Sequence, residues 1–257
     1  MIDEHFHPKN WGIRPILFSI GNIEIPAYSF FVLLGLVVGA IVYFKEVNRK
    51  KKTISENSIY IALCAMGGGI LGSKIPIWIY NYKIIIALFP DITPILSGRT
   101  IVGGIIGGMI GVRLIKHYLK IKNRRGNFFA PAAALGISIG RIGCFFRGCC
   151  YGIETTLPWG VDFGDGIQRH PTQIYETIFA FLLFLYLTKI KKKIKKPGRL
   201  FDIFLTIYFS YRFISEFIRD INKTFYGLSI FQIISLIVII YANRGPIANY
   251  LNKMFNM

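Results

Sequence analysis

Apolar residues in this chain fall into long runs with short polar segments between them, and few runs show the one-sided polarity of a helix half-exposed to water. Runs at 26–44, 58–80, 100–117, 128–146, 171–188, 200–218 and 228–241 give about seven spans of bilayer length, near 20 residues each. Residues 11–25 are too short and too broken, by Pro15 and Gly21, to cross a bilayer, and they read as an interfacial segment. Pro26 suits the first turn of the helix that follows. Beyond the second run, a mixed stretch through Pro90 and Pro94 reads as holding a short interfacial helix at 84–89. Glycines at 103, 107 and 111, with 104 and 108 beside them, make a stripe of small residues suited to tight helix packing. The pattern predicts an all-α, polytopic membrane protein in which residues 1–257 form a single membrane-embedded domain without an internal repeat.

Composition supports this reading and charge orients it. Hydrophobic residues make up 53% of the 257 residues, and 31 Lys and Arg oppose 13 Asp and Glu, a formal net charge of +18. The basic residues lie in blocks between apolar runs, as juxtamembrane loops facing anionic headgroups do, so no nucleic-acid partner is expected. The loops after the first, third and fifth runs are strongly positive (Lys45 and Arg49–Lys52; Lys116–Arg125; Lys189–Arg199), and those after the second, fourth and sixth much less so. By the positive-inside rule the N-terminus lies outside and the C-terminus in the cytoplasm of a bacterial inner membrane. The first ten residues lack the charged and apolar regions of a signal peptide, so no cleavage is expected.

Candidate chemistry lies where charge interrupts these runs. Arg141 sits deep in the fourth run, among glycines at 140, 143 and 148 that leave one surface bare for a second backbone or a headgroup. With the topology above, Tyr28, Arg99, Arg141, Cys144, Arg169, His170, Gln173, Tyr175, Glu176, Tyr208, Arg212, Glu216 and Arg219 all fall in the outer layer. Arg212, Glu216 and Arg219 are spaced to share one helix face. Two bland readings stand beside the functional one: an arginine that snorkels to water, or ion pairs that only lock the bundle. Arginines outnumber carboxylates in this layer, which calls for an anionic guest, and phosphate matches the arginine fork best. A phospholipid headgroup entering from the outer leaflet meets that demand.

Cys144, Cys149 and Cys150 fall at the same, oxidising side. They can form one disulfide, bind a metal with His170, or pack as small apolar groups. His5, His7 and His117 read as surface residues.

Three segments together carry a resemblance. GRIGCFFRGCCYG at 140–152, RHPTQIYE at 169–176 and YFSYRFISEFIR at 208–219 resemble, in order and spacing, the GRIGNFxNGExxG, RHPSQLYE and YGxFRFxxEFxR segments of the bacterial prolipoprotein diacylglyceryl transferase family. The resemblance implies transfer of the diacylglyceryl group of phosphatidylglycerol to the thiol of a lipobox cysteine in a preprolipoprotein signal peptide. It implies that Arg141 holds the lipid phosphate and Arg212 the leaving glycerol phosphate. Glu176 and Glu216 would orient these arginines, Tyr28 and Tyr208 would line the cavity, and Gly143, Cys144 and Arg219 would complete the binding surface. No metal or organic cofactor is implied. Val102, in TIVGGIIGG, stands where the family carries a histidine, and Cys144 and Cys149 replace an asparagine and an acidic residue. His170 is then the candidate to remove the acceptor proton; a different acceptor or donor lipid, or a non-catalytic lipid-binding protein, is the alternative.

Overall fold

A computed structural model describes residues 11–21, 23–49, 56–80, 82–90, 95, 98–122, 126–221 and 226–255. The basic positions 50–52, Arg124, Arg125, and the N-terminal stretch with His5 and His7 lie outside the described residues. The chain is mostly helical. Strands β1 (Ile16–Ile20) and β2 (Ile23–Pro26) precede helices α1 (Ala27–Arg49), α2 (Glu56–Tyr80), α3 (Tyr82–Ala87), α4 (Ile101–Tyr118) and α5 (Gly126–Arg147). Strands β3 (Val161–Asp162) and β4 (Gln168–Arg169) lead to α6 (Thr172–Ile190), α7 (Arg199–Ser215), a 3-10 turn (Glu216–Ile218) and α8 (Ile230–Phe255).

Among the described residues, five helical stretches are long and apolar enough to cross a membrane: Ala27–Val47, Asn57–Ile79, Ile101–Tyr118, Gly126–Arg147 and Thr172–Ile190. The chain is therefore a multi-pass membrane protein. The sixth expected run is a 17-residue helix that stops at Ser215, and the apolar part of the seventh is Ile230–Gly245. The all-α expectation needs one correction, because two small antiparallel sheets are present. Residues 16–26 pair as a hairpin, with Gly21 at φ 59° in its turn. Alternating isoleucines and a phenylalanine favour a pleated strand, and Gly21 supplies the left-handed turn residue. Pro26 closes β2 instead of opening α1.

The described residues group into two compact units, one within Phe44–Asn123 and one within His7–Tyr43 and Arg124–Met257. In the first, α2 and α4 meet through glycine. A Cβ at Gly72 would lie 2.6 Å from both the Gly103 carbonyl oxygen and the Gly107 Cα. The expected small-residue stripe is thus a backbone-to-backbone interface, the arrangement by which helices associate in lipid. Thr100 caps α4, its Oγ1 accepting from Gly103 N at 3.2 Å and donating to Ser73 O at 3.2 Å. Val102 is buried directly after that cap.

In the second unit, α5, α6 and α7 pack around an apolar core that includes Leu183, Leu187, Leu200, Phe204, Leu205 and Phe209. Asn127, at the start of α5, fastens the start of α7: its Oδ1 accepts from Leu200 N at 2.9 Å and its Nδ2 donates to Lys196 O at 3.0 Å. Helix α8 ties to α7 through Gln232 Nε2 to Phe213 O at 3.2 Å and Asn243 Nδ2 to Thr206 Oγ1 at 2.9 Å. Those anchors set how far along α7 its charged end projects.

Candidate functional site

The site is centred on one carboxylate. Glu176 lies one turn into α6, and its side chain is 3% exposed. Arg141 of α5 reaches it with Nη2 at 2.7 Å from Oε2, and Arg212 of α7 approaches the same oxygen with Nη1 at 3.2 Å. Tyr208, one turn before Arg212 on the same face of α7, donates its hydroxyl to Oε1 at 2.7 Å. Arg212 also bonds Glu216 through Nη2, and Arg219 Nε stands 3.9 Å from the same Glu216 oxygen. All of these side chains are buried.

The cluster is unevenly charged. Ions taken out of water are stabilised only by close partners, so each arginine must find a carboxylate. Three guanidinium groups here share two carboxylates, Glu176 and Glu216. Among the described residues the cluster thus brings three arginines onto two carboxylates, a composition that suits an anionic guest. Beside Arg141, moreover, a Cβ at Gly140 would meet nothing within 4 Å among the described residues. The helix is bare where the arginine turns inward.

Several sequence expectations are redirected. Arg219 does not share a helix face with Arg212, because α7 ends at Ser215 and Arg219 is extended at φ −91°, ψ 144°. It stays close by bridging Gly152 as a short antiparallel contact, its Nη2 donating to Cys150 O at 3.3 Å. Arg169 grips Asp165 with both ends of its fork at 2.6 Å and lies over the Tyr151 ring at 4.8 Å. His170 Nδ1 is 3.2 Å from the Tyr175 hydroxyl, which accepts from Trp159 Nε1 at 2.8 Å. Tyr28 lies below the Arg147 guanidinium at 5.3 Å. Gly143 lies against α1, where a Cβ would be 3.1 Å from Tyr28 Cα and 2.9 Å from Phe31 Cβ. Arg99 belongs to the other unit.

The connection from Gly148 onward folds back over the end of α5. A Cβ on Gly152 would sit 2.8 Å from His170 Cβ and 2.9 Å from Thr172 Cγ2, so only glycine lets the two segments meet. Two residues that sequence reasoning gave no role secure the fold-back. Thr172 Oγ1 donates to Cys150 O at 2.6 Å, and Gln173 Nε2 donates to Cys149 O at 2.7 Å. Their signal was the polar T-Q pair opening an apolar helix. The Cys149 and Cys150 sulfurs are 3.5 Å apart, a contact between thiols and not the roughly 2.05 Å bond of a disulfide. Cys144 Sγ lies 3.8 Å from Arg141 Nη1.

The β3–β4 turn stands outside the membrane-spanning helices and is organised by acids. Asp162 Oδ1 accepts from the backbone of Gly164 at 2.8 Å, Gly166 at 3.0 Å and Asp165 at 3.1 Å, and these amides hold its carboxyl below the usual range. The hydrogen bonds from Arg169 do the same for Asp165 and hold the Arg169 guanidinium above its ordinary value.

Known proteins of similar sequence match this arrangement along most of the chain. Residues 15–244 fit the profile of the family described as prolipoprotein diacylglyceryl transferase. The phosphatidylglycerol–prolipoprotein diacylglyceryl transferase of Clostridium tetani is 38% identical over 240 residues, covering 89% of this chain and 94% of that protein. The corresponding transferase 2 of Clostridium perfringens is 32% identical, covering 94% and 96%, and that of Clostridioides difficile is 31% identical, covering 93% and 95%. The buried arginines and their carboxylates thus sit within a match that runs across both units, and the chain belongs to the prolipoprotein diacylglyceryl transferase family.

Proposed function

We propose that this protein transfers the diacylglyceryl group of phosphatidylglycerol to the thiol of a lipobox cysteine in a preprolipoprotein signal peptide. The observation that carries the reading is the buried cluster of three arginines on two carboxylates, with the bare Gly140 surface beside Arg141. In this reading Arg141 holds the lipid phosphate, and Arg212 takes up charge on the glycerol phosphate as it leaves. Preorganised positive charge contributes most at that step, because it needs no rearrangement as the C–O bond breaks. Glu176, Glu216 and Tyr208 hold the two guanidinium groups in place, while Tyr28, Gly143, Cys144 and Arg219 border the headgroup. His170 is the base for the acceptor thiol, its ring oriented by Tyr175.

The topology completes the proposal. Residues 1–257 act as one catalytic domain of seven spans, α7 and α8 adding to the five long apolar helices, with the N-terminus outside and the C-terminus cytoplasmic. The basic segments after α1, α4 and α6 support that orientation. The cluster then opens to the outer leaflet of the bacterial inner membrane, where donor lipid enters sideways and the signal peptide arrives. Reconstitution with phosphatidylglycerol and a lipobox peptide tests the reading, with mass spectrometry scoring the thioether adduct. Adduct formation that disappears in Arg141→Ala and Arg212→Ala is the expected result; lipid that co-purifies without any adduct would instead identify a lipid-binding protein.

A further inference from the structure

Three thiols converge beside the arginine cluster. The Sγ atoms of Cys144, Cys149 and Cys150 all lie within 4.8 Å of one another, with Cys144 and Cys149 buried and Cys150 half-buried. Thiolates on one tetrahedral ion, each about 2.3 Å from it, stand about 3.8 Å apart. The sulfurs therefore need move little to share an ion. The backbone is turned to present them: Cys150 holds φ at 75°, a region that side-chain-bearing residues seldom occupy unless their surroundings enforce it. Its carbonyl is fastened by Thr172 and Arg219, and that of Cys149 by Gln173, while the Cys149 thiol donates to the Cys144 carbonyl at 3.6 Å and the Cys150 thiol to Cys149 Sγ at 3.5 Å.

We infer that Cys144, Cys149 and Cys150 form a binding site for a thiophilic closed-shell cation of the zinc type, whose fourth position receives the acceptor thiol. The second half rests on the function proposed above. Three thiolates on a dication carry one net negative charge, and Arg141, with Nη1 3.8 Å from Cys144 Sγ, stands beside it as counter-charge. Three protein ligands with one open position is the composition of a reactive site, not a closed structural one. A thiol that enters that position is deprotonated by the metal, its proton passing to the base already proposed. The thiolate then attacks the glyceryl carbon of the lipid: the C–S bond forms, the C–O bond to phosphate breaks, and glycerol phosphate departs with the electron pair. No electron is transferred to or from the metal.

The test uses the full-length chain, reduced and in detergent, with zinc and cobalt(II) as probes. One equivalent of metal per chain is expected, with cobalt–thiolate charge-transfer absorption. Bound zinc should protect Cys144, Cys149 and Cys150, but not Cys64, from maleimide in the unmutated protein. Ser at any one of the three should weaken binding by at least about 100-fold, whereas Cys64→Ser should bind normally. Adding a lipobox peptide should shift the cobalt ligand-field bands, and the same peptide with serine for cysteine should not. Substoichiometric metal, unprotected thiols, a disulfide among the three in the isolated protein, or Ser variants that bind normally would overturn the site. A cobalt spectrum indifferent to the cysteine peptide would overturn the open position. None of these readouts requires turnover, so loss of adduct formation in a metal-loaded protein would count against the transferase reading alone.

Discussion

The two units hold their helices together by opposite means. Helices α2 and α4 approach because side chains are missing: Gly68 and Gly72 face Gly103 and Gly107, and a single added methyl would strike backbone. Helices α5, α6 and α7 are held where costly side chains are present and paired, Arg141 and Arg212 on one carboxylate and Tyr208 on its other oxygen. The first interface tolerates nothing added and the second nothing removed. Dispersion over a smooth surface needs no specific partner, whereas a buried charge needs an opposite charge close by. The first unit also buries a cation, Lys74, but the cluster of arginines on carboxylates lies in the second.

The sharpest way to break this contrast is to remove a guanidinium. Arg141→Ala should abolish adduct formation, a loss of at least about 100–1000-fold by analogy with the deletion of one preorganised donor to developing charge. It also strands Glu176 with one arginine fewer, which should lower stability by about 3–5 kcal/mol. Arg141→Lys keeps the charge but loses the fork, so activity should remain well below the unmutated level while stability largely returns. Full activity in Arg141→Lys would mean that a point charge suffices.

On the other side of the comparison, Gly107→Leu or Gly72→Val should separate α2 from α4. Overpacking of this kind costs about 1–3 kcal/mol even where side chains can yield, and here the atoms struck are backbone. A lowered melting temperature in detergent is the expected result, with Gly67→Ala as the control, since nothing lies within 4 Å of its Cβ position. An unchanged melt for Gly107→Leu would show that the glycine interface does not hold this unit together.

Much of this was legible because it violated the surrounding pattern. Arg141, Glu176 and Arg212 stood out as charges inside apolar runs, and the glycines of 103–111 as a period of four. What could not be read depended on segments too short for periodicity. Strands β1 and β2 were read only as part of an interfacial segment at 11–25, because five- and four-residue strands leave almost no period to detect. Arg219 was placed on a helix by its spacing, but the helix stops at Ser215 and pairing with Gly152 takes over. The partner of Arg169 could not be read either, because nothing in a loop sequence announces that Asp162 will gather three amides beside Asp165.

A smaller perturbation sharpens the charged side of the comparison. Tyr208→Phe removes a 2.7 Å hydrogen bond from Glu176 and leaves the fully buried ring in place. The carboxylate retains both arginines, so the expected loss is about 1–3 kcal/mol of stability, with at most about a tenfold fall in adduct formation. A loss equal to that of Arg141→Ala would show instead that the tyrosine touches the lipid.

The smallest effect comes from charges of the same types placed outside the bundle. Asp165 and Arg169 form a two-pronged pair like those inside, yet Asp165 is exposed to solvent, which screens the attraction. Both turn carboxyls are depressed, Asp162 by the amides of Gly164, Gly166 and Asp165, and Asp165 by Arg169. A depressed carboxyl contributes stability that is fully present above its unfolded value, near 3.9, and is lost as pH falls through the lower folded value. The β3–β4 turn should therefore be unaffected from neutral pH down to about 4 and loosen only below it. Amide exchange at 163–167, corrected for the pH dependence of exchange itself, should rise by no more than a few-fold over that interval. Asp165→Asn should show the faster exchange already at neutral pH, and Asp162→Ala should show it more strongly, because three amides lose their acceptor at once. If exchange in the unmutated turn rose instead well above pH 4, these carboxyls would not be what holds it.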